Sequence, residues 1–228
     1  MLHNSPNQIH WQQKLINSHY IHFEICPHIT HNKANDTIDR QGMWQMLMVY
    51  GVGRNLLKAV QSFYADSRAC VRIGMQVSEW FPVNVGMRQG CVMSPWLFNV
   101  YMDGVVREVN ARVLGKALEL LSVNDGRFEI NQQLFSDYTA LVADSEQKLC
   151  RLVTAFGSVC ERRKLRVNVG KSKIMRCSRF VNGGRMYARS NGDQLEEVDC
   201  FKYLGSQVAP DGGSESDVVH RMNEGFKA

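Results

Sequence analysis

Residues 134–141 read Leu134-Phe135-Ser136-Asp137-Tyr138-Thr139-Ala140-Leu141, with one acid at the centre of an otherwise mostly apolar stretch. Apolar runs on both sides of a short polar segment are typical of a β-hairpin, which the sequence predicts between Phe128 and Asp144. The pattern therefore predicts an acid exposed at the tip of an apolar hairpin. Asp137 is the first candidate functional residue.

A second informative stretch lies upstream, between Val85 and Asn99. Arg88, Gln89 and Gly90 are predicted to form a loop, in which the glycine permits close approach of the backbone to a ligand. Ser94 is a favourable N-cap, and a proline follows it at the first helical position. We expect a helix from there to about Val113.

The remaining periodicity predicts further helices and strands in alternation. Three other helices are expected over residues 43–48, 56–64 and 149–160, and a last one begins at Asp217. Strands are expected over 70–77, 165–169 and 174–177 and as a pair within 198–208, with turns at Gly170 and at Asn191-Gly192. Antiparallel strands with helices laid on one face indicate an α+β fold.

Positive charge is concentrated in one block. From Arg151 to Arg189 there are eleven Lys or Arg residues and one acid, Glu161, whereas the whole chain carries a net charge of only +5. Such a block is suited to a nucleic-acid backbone, because neutralised phosphates release counterions. A solvated face that serves solubility is an equally good interpretation. The candidate nucleic-acid-binding residues are Arg162, Arg163, Lys164, Arg166 and Lys173.

Composition indicates a globular chain. It has 228 residues, of which 44% are hydrophobic and 21% charged. Its apolar runs are shorter than the ~20 residues that a membrane helix needs, and the N-terminus does not resemble a secretory signal. Seven widely spaced cysteines without a Cys-x-x-Cys pair disfavour a zinc ribbon or a disulfide framework. We therefore expect a protein of the nucleus or cytoplasm that is not secreted and not bound to a membrane.

Residues 1–32 differ from the rest of the chain. They carry six of the seven histidines and few charges. Cys26, His28 and His31 could ligate a metal, but the stretch lacks the two well-spaced ligand pairs of common zinc sites. We interpret residues 1–32 as a divergent, poorly ordered leader and residues 33–228 as the functional domain.

Five motifs in order resemble the palm of the reverse transcriptases of non-long-terminal-repeat (LINE-type) retrotransposons. They are the acidic segment around Lys33 to Asp36, the Arg88-Gln89-Gly90 loop, the Asp137 hairpin, the Asn168-Val169-Gly170-Lys171 turn and Phe201-Lys202-Tyr203-Leu204-Gly205. The resemblance implies a polymerase palm-like antiparallel sheet with incomplete fingers and no thumb. It implies RNA-directed DNA polymerase activity, with an RNA template and a DNA primer as partners.

The resemblance also implies two Mg²⁺ ions held by palm carboxylates. The family places a metal-binding Asp at the position of Thr30 and two more at Asp137 and Tyr138. Asp36 matches a trailing acid of the family that does not bind metal. One of three carboxylates is therefore retained, at Asp137, and Mg²⁺ binding is doubtful because neither a threonine nor a tyrosine is charged at neutral pH.

Other positions carry over by the same resemblance. Arg88, Gln89 and Gly90 match the loop that contacts the nucleotide and template, and Lys171 matches a lysine near the triphosphate. Phe201 to Gly205 matches the hairpin that supports the primer end. Three hypotheses follow: a catalytically impaired reverse transcriptase palm, a non-catalytic basic nucleic-acid-binding module, and a relic without function.

Overall fold

A computed structural model describes the chain in ten ranges, some of them for the backbone alone. These are residues 22–26, 34–114, 123–124, 127–128, 132–135, 138–143, 145–177, 185–203, 206–210 and 214–225. The chain divides into two compact units. The sheet unit comprises Met1–Ile29, Glu119–Ser158 and Val167–Ala228, and the helical unit comprises Thr30–Leu118 and Val159–Arg166.

Helices and strands are numbered in chain order over these residues. The helices are α1 Ala34–Thr37, α2 Arg40–Val49, α3 Arg54–Tyr64, α4 Ser94–Leu114, α5 Glu146–Arg162 and α6 Glu215–Gly225. The longer strands are β1 His22–Cys26, β8 Gln132–Phe135, β9 Tyr138–Ala143, β10 Lys173–Cys177, β14 Phe201–Tyr203 and β15 Ser206–Val208. The two-residue strands are β2 Arg68–Ala69, β3 Arg72–Ile73, β4 Gln76–Val77, β5 Phe81–Pro82, β6 Val123–Asn124, β7 Arg127–Phe128, β11 Arg189–Ser190, β12 Asp193–Gln194 and β13 Glu196–Glu197.

The sheet unit is built on five strands in the order β13-β10-β1-β9-β8. Strand β1 is central and antiparallel to both neighbours, so Ile25 lies between Leu141 of β9 and Ile174 of β10. Strand β13 pairs with β10 in parallel and makes the sheet mixed. Leu141 and Ile174 are both fully buried, as are side chains on a covered face of a sheet.

The predicted hairpins are present where turn residues indicated them. Strands β8 and β9 are antiparallel with Phe135 opposite Tyr138, and β14 pairs with β15. At Asn191-Gly192 both residues have positive φ, of 51° and 92°, which is the backbone that a two-residue type I′ turn requires. Local turn chemistry thus predicted these strand pairs correctly.

The segment assigned to a leader contains part of the sheet. Strand β1 lies within residues 1–32 and pairs along its length with β10. The backbone of His22 to Cys26 is described, whereas the other residues of that segment lie outside the described ranges. The boundary at residue 33 stays a prediction.

The core of the helical unit is formed where α2 packs on α4. Met43, Tyr101 and Val105 are almost completely buried there. Gly104 permits this approach, because a Cβ at that position would lie 2.8 Å from the Met46 sulfur. The N-cap of α2 is Asp39, whose carboxylate accepts from the Gly42 N–H at 3.0 Å.

Two predicted strands are wrong. Residues 70–77 form a tight, exposed hairpin of β3 and β4 instead of one strand, because Gly74 reverses the chain with a φ of 61°. Residues 165–169 are irregular. The N–H of Leu165 bonds back to Cys160 at the end of α5, and the carbonyl of Asn168 accepts from Ser172, so these backbone groups are used in turns.

The fold class is therefore confirmed as α+β, with helices and small, mostly antiparallel sheets. The palm arrangement with helices on one face, incomplete fingers and no thumb stays a prediction. No helix within the described part of the chain is long and apolar enough to cross a membrane.

Candidate functional site

The sheet unit brings three chain segments together at one end of its central strands. Because β1 is antiparallel to β9 and β10, it ends where both neighbours begin, and Cys26 pairs with Lys173. Tyr138 is the first residue of β9, and Lys171 lies in the turn just before β10. We call this the hairpin end of the sheet, defined by Cys26, Tyr138 and Lys173.

The predicted catalytic residue, Asp137, directly precedes Tyr138 in the sequence. Phe135 and Tyr138 form the last pair of the β8–β9 ladder, and Ser136 and Asp137 connect them. Asp137 and Thr30 lie outside the described residues, so their roles stay predictions. Tyr138 is placed by its backbone at the start of β9.

The set of ligand residues that the resemblance implies does not fit Mg²⁺. Magnesium selects oxygen ligands, and carboxylates supply the charge that offsets a bound triphosphate. Of the three ligand positions implied by the resemblance, Thr30 and Tyr138 carry a hydroxyl and a phenol in place of carboxylates. Elsewhere, the described side chains contain no group of three His, Cys, Asp or Glu residues able to hold a metal ion.

Lys171 is exposed in a turn that Asn168 organises. The N–H of Lys171 donates to the Asn168 carbonyl at 3.1 Å and to its side-chain oxygen at 3.2 Å. The hydroxyl of buried Ser172 donates to the same carbonyl at 2.8 Å. These bonds fix the backbone next to the hairpin end and leave the lysine ammonium in solvent.

The helical unit carries the Arg88-Gln89-Gly90 loop, which rests on the segment before α2. The Gly86 N–H donates to the Ile38 carbonyl at 2.9 Å. A Cβ on Gly86 would lie 2.6 Å from the Asp36 Cα, and its φ is 76°, so only glycine fits. The Gln89 amide nitrogen lies 3.3 Å from each carboxylate oxygen of Asp36.

Arg40 anchors this loop, a role that the sequence pattern did not predict. Its guanidinium donates to the carbonyls of Gly86 and Val83, at 2.8 Å each, and to those of Tyr64 and Val85, at 3.3 Å each. It also stacks 5.1 Å from the centre of the Tyr64 ring. Burial is the main cause that lowers the pKa of Arg40 below its ordinary value. An arginine remains charged there, so it is the fixed donor that holds the loop.

Ser94 ties the loop to helix α4. We expected it as an N-cap, but the helix begins at Ser94 itself. Its hydroxyl donates to the Arg88 carbonyl at 2.7 Å and lies 3.4 Å from the Tyr64 hydroxyl. The side chains of Arg88 and Gln89 and the backbone of Gly90, with a φ of 76°, are left exposed. The structure thus groups all three predicted loop residues on one anchored segment.

The predicted nucleic-acid-binding cations are mostly paired within their own units. Arg162 and Arg163 both pair with Glu108, the latter at 3.0 Å, and Lys164 lies 2.9 Å from Asp39. This contact is the largest cause that lowers the pKa of Asp39. Lys173 pairs with Glu196, and Arg166 is exposed.

The turn after α5 is further fastened to helix α4 by Tyr101. Its hydroxyl donates to the Arg163 carbonyl at 2.7 Å, and the Arg163 guanidinium lies 5.8 Å from its ring centre. Burial is the main cause that raises the pKa of Tyr101 to about 12, so its phenol stays a hydrogen-bond donor. Arg162, Arg163 and Lys164 therefore make contacts within the helical unit, and their binding of nucleic acid stays a prediction.

Two curated proteins are similar to most of this chain. It is 24% identical over 194 residues to a "Retrovirus-related Pol polyprotein from type-2 retrotransposable element R2DM" of Drosophila melanogaster, covering 81% of this chain and 18% of that protein. It is 21% identical over 218 residues to a "Retrovirus-related Pol polyprotein from type-1 retrotransposable element R2" of Popillia japonica, covering 89% of this chain and 35% of that protein. The chain thus spans about a fifth to about a third of the length of these relatives.

A family model agrees with this similarity and with the motif order. The model described as "Reverse transcriptase (RNA-dependent DNA polymerase)" matches residues 16–208, which include β1, the anchored loop and the β8–β9 hairpin. Members of this family generally use divalent metal ions and bind a template and a primer. The chain belongs to the reverse transcriptase family, and the predicted resemblance to a non-LTR retrotransposon domain is confirmed.

Proposed function

We propose that this chain is the reverse transcriptase domain of a non-LTR retrotransposon of the R2 kind, impaired in catalysis but retaining affinity for an RNA template paired with a DNA primer. The observation that carries the proposal is Tyr138. It begins β9 at the hairpin end of the sheet, where the family resemblance places a metal-binding aspartate. A neutral phenol there cannot supply the charge that two Mg²⁺ ions need.

The other polymerase features support binding more than chemistry. The Arg88-Gln89-Gly90 loop is anchored and exposed, and Lys171 presents an ammonium beside the hairpin end. An arginine and a lysine suit the phosphates of a nucleotide or strand. The remaining role proposed for Asp137 is that of a single metal-facing carboxylate, which is too few for two-metal chemistry.

Primer extension on poly(rA)/oligo(dT) with Mg²⁺ or Mn²⁺ tests the impairment. We expect no extension above that of an Asp137→Asn control. Synthesis that depends on Asp137 would show that one carboxylate suffices and would overturn this part of the proposal. Binding of the same hybrid by fluorescence anisotropy tests the retained affinity.

Restoring the missing carboxylates tests whether their loss, and not another defect, causes the impaired catalysis. We expect the Thr30→Asp/Tyr138→Asp variant to gain Mg²⁺-dependent extension, because it regains both acids. Thr30→Asn/Tyr138→Asn is the matched control, since it changes the same positions without charge. If neither gains activity while both bind the hybrid, the ligand positions alone do not account for the impairment.

A further inference from the structure

The Gln89 amide makes a contact that fixes which way it faces. Its nitrogen lies 3.3 Å from both oxygens of the Asp36 carboxylate. An ionised carboxylate can only accept hydrogen bonds, whereas a primary amide has a donor side and an acceptor side. The NH₂ group must therefore face Asp36, and the carbonyl oxygen Oε1 must face away from it.

We propose that Asp36 is a positioning residue: it orients Gln89 so that Oε1 is presented to a hydroxyl or amino donor of a bound nucleotide or template base. The inference rests on the proposed nucleic-acid binding of this loop. Asp36 thereby has a function other than metal binding, and Gln89 recognises a hydrogen-bond donor.

Backbone contacts make the Asp36–Gln89 pair more than a chance surface contact. Gly86 packs directly on the Asp36 backbone, and its N–H bonds to Ile38. The Arg40 guanidinium donates to the carbonyls of Val83 and Gly86 in the same segment. Asp36 and Gln89 thus stand on one framework, which keeps them within reach at little entropic cost.

Arg88 completes the recognition surface. Its side chain is exposed and has no hydrogen bond or ion pair with any of the residues that the structure describes. A guanidinium is a donor only and suits phosphate oxygens. The loop therefore displays a donor for phosphate, the Arg88 guanidinium, beside an acceptor that Asp36 holds in place, Gln89 Oε1. A nucleotide has both a phosphate and a hydroxyl or amino donor, whereas a free phosphate would use only the guanidinium.

Side-chain amide resonances test the orientation directly in the full chain without any ligand. In a ¹⁵N-labelled sample, the Gln89 Nε2 resonance is identified by its loss in Gln89→Ala. We expect Asp36→Ala to move it toward the position of a solvated glutamine, while Glu79→Ala, the loss of another exposed acid of the same unit, leaves it in place. An unmoved resonance in Asp36→Ala would overturn the proposal.

Affinity for a poly(rA)/oligo(dT) hybrid tests the consequence. Asp36→Ala and Gln89→Ala should each weaken binding by about fivefold, the loss of one hydrogen bond, and the double variant should lose little more. Gln89→Glu sets two carboxylates against each other and should also weaken binding. In Asp36→Asn/Gln89→Glu the asparagine NH₂ faces the glutamate carboxylate, so a donor again faces an acceptor and the affinity should recover. A purely structural role of Asp36 would not produce this rescue.

The two proposals fail separately. If the wild-type chain does not bind the hybrid, the proposed function fails, whereas the amide resonance still decides the orientation. If the wild-type chain binds and Asp36→Ala changes neither the resonance nor the affinity, the positioning role alone is wrong.

Discussion

Lys164 ends helix α5 in a left-handed conformation that usually belongs to glycine. Its φ is 59°, its N–H bonds to the Glu161 carbonyl, and the next N–H, of Leu165, bonds to Cys160 at 2.8 Å. This is the hydrogen-bond pattern of a Schellman C-cap. A side chain in that conformation costs about 1–2 kcal/mol relative to glycine.

We predict that Lys164→Gly is more stable than Lys164→Ala by about 1 kcal/mol, because only glycine relieves this strain. Both variants lose the ion pair with Asp39, which contributes little because the lysine side chain is 70% exposed. Thermal unfolding of the two proteins measures the difference. Equal stability would mean that the surrounding turn, and not the backbone of residue 164, sets the cost.

Asp39 gives the stability of the helical unit a dependence on acid pH. Its pKa lies below the ordinary 3.8, chiefly through the hydrogen bond from Lys164 and also through that from the Gly42 N–H, although burial opposes them. A carboxyl whose pKa is lowered on folding stabilises the protein above its unfolded-state pKa, and that contribution is lost as the pH falls through the lowered value.

Asp39→Asn should therefore lower the melting temperature by a small amount at neutral pH, and this difference from the wild type should disappear in acid. Asparagine still caps α2, so the change isolates the charge. Melting temperatures from about pH 6 to about pH 2.5 provide the measurement, and the gap between wild type and variant should close toward the acid end. A gap that stays constant would assign the effect to the cap geometry.

At the scale of elements, helix α5 approaches the β11–β12 hairpin through a glycine. A Cβ on Gly157 would lie 2.6 Å from the Ser190 Oγ and 2.9 Å from the Asn191 side-chain oxygen. Ser190 is only 2% exposed, and the Asn191 amide donates to the Gly157 carbonyl at 3.3 Å. Neighbouring side chains thus occupy the space that alanine would need.

Gly157→Ala should destabilise the chain by about 1–2 kcal/mol, since overpacking outweighs the ~1 kcal/mol that alanine adds to helix propensity. Removing the obstructing hydroxyl in Gly157→Ala/Ser190→Ala should recover part of the loss. Denaturant unfolding of the three proteins measures both steps. If the single variant is as stable as the wild type, the hairpin moves aside at no cost.

The sequence predicted elements where their signals were local and missed them where distant groups decide. Asn191-Gly192 and the β8–β9 hairpin follow from residues within the turn, and they were predicted correctly. Arg40 was missed because its acceptors lie between 24 and 46 residues away, which no periodicity reports. Residues 165–169 alternate like a strand, but the cap of α5 and the Asn168 turn take their backbone groups.

At the scale of the whole molecule, the described cations of the positive block between residues 151 and 189 differ in their ion pairing. Arg162 and Arg163 share the Glu108 carboxylate in the helical unit. Arg151 and Arg189 belong to the sheet unit, are exposed, and form no ion pair with the residues that the structure describes. Equal formal charges therefore differ in how freely they can neutralise phosphates.

Arg151→Gln/Arg189→Gln should lower the slope of log Kd against log salt for a poly(rA)/oligo(dT) hybrid by about two, one for each lost phosphate contact. Arg162→Gln/Arg163→Gln removes the same charge but should change the slope less, because Glu108 already offsets those two cations. It should instead lower the melting temperature, since it leaves the Glu108 carboxylate without these partners. If Arg162→Gln/Arg163→Gln instead changes the slope more than Arg151→Gln/Arg189→Gln does, then Arg162 and Arg163 contact the nucleic acid. Binding would in that case have to break their ion pairs with Glu108.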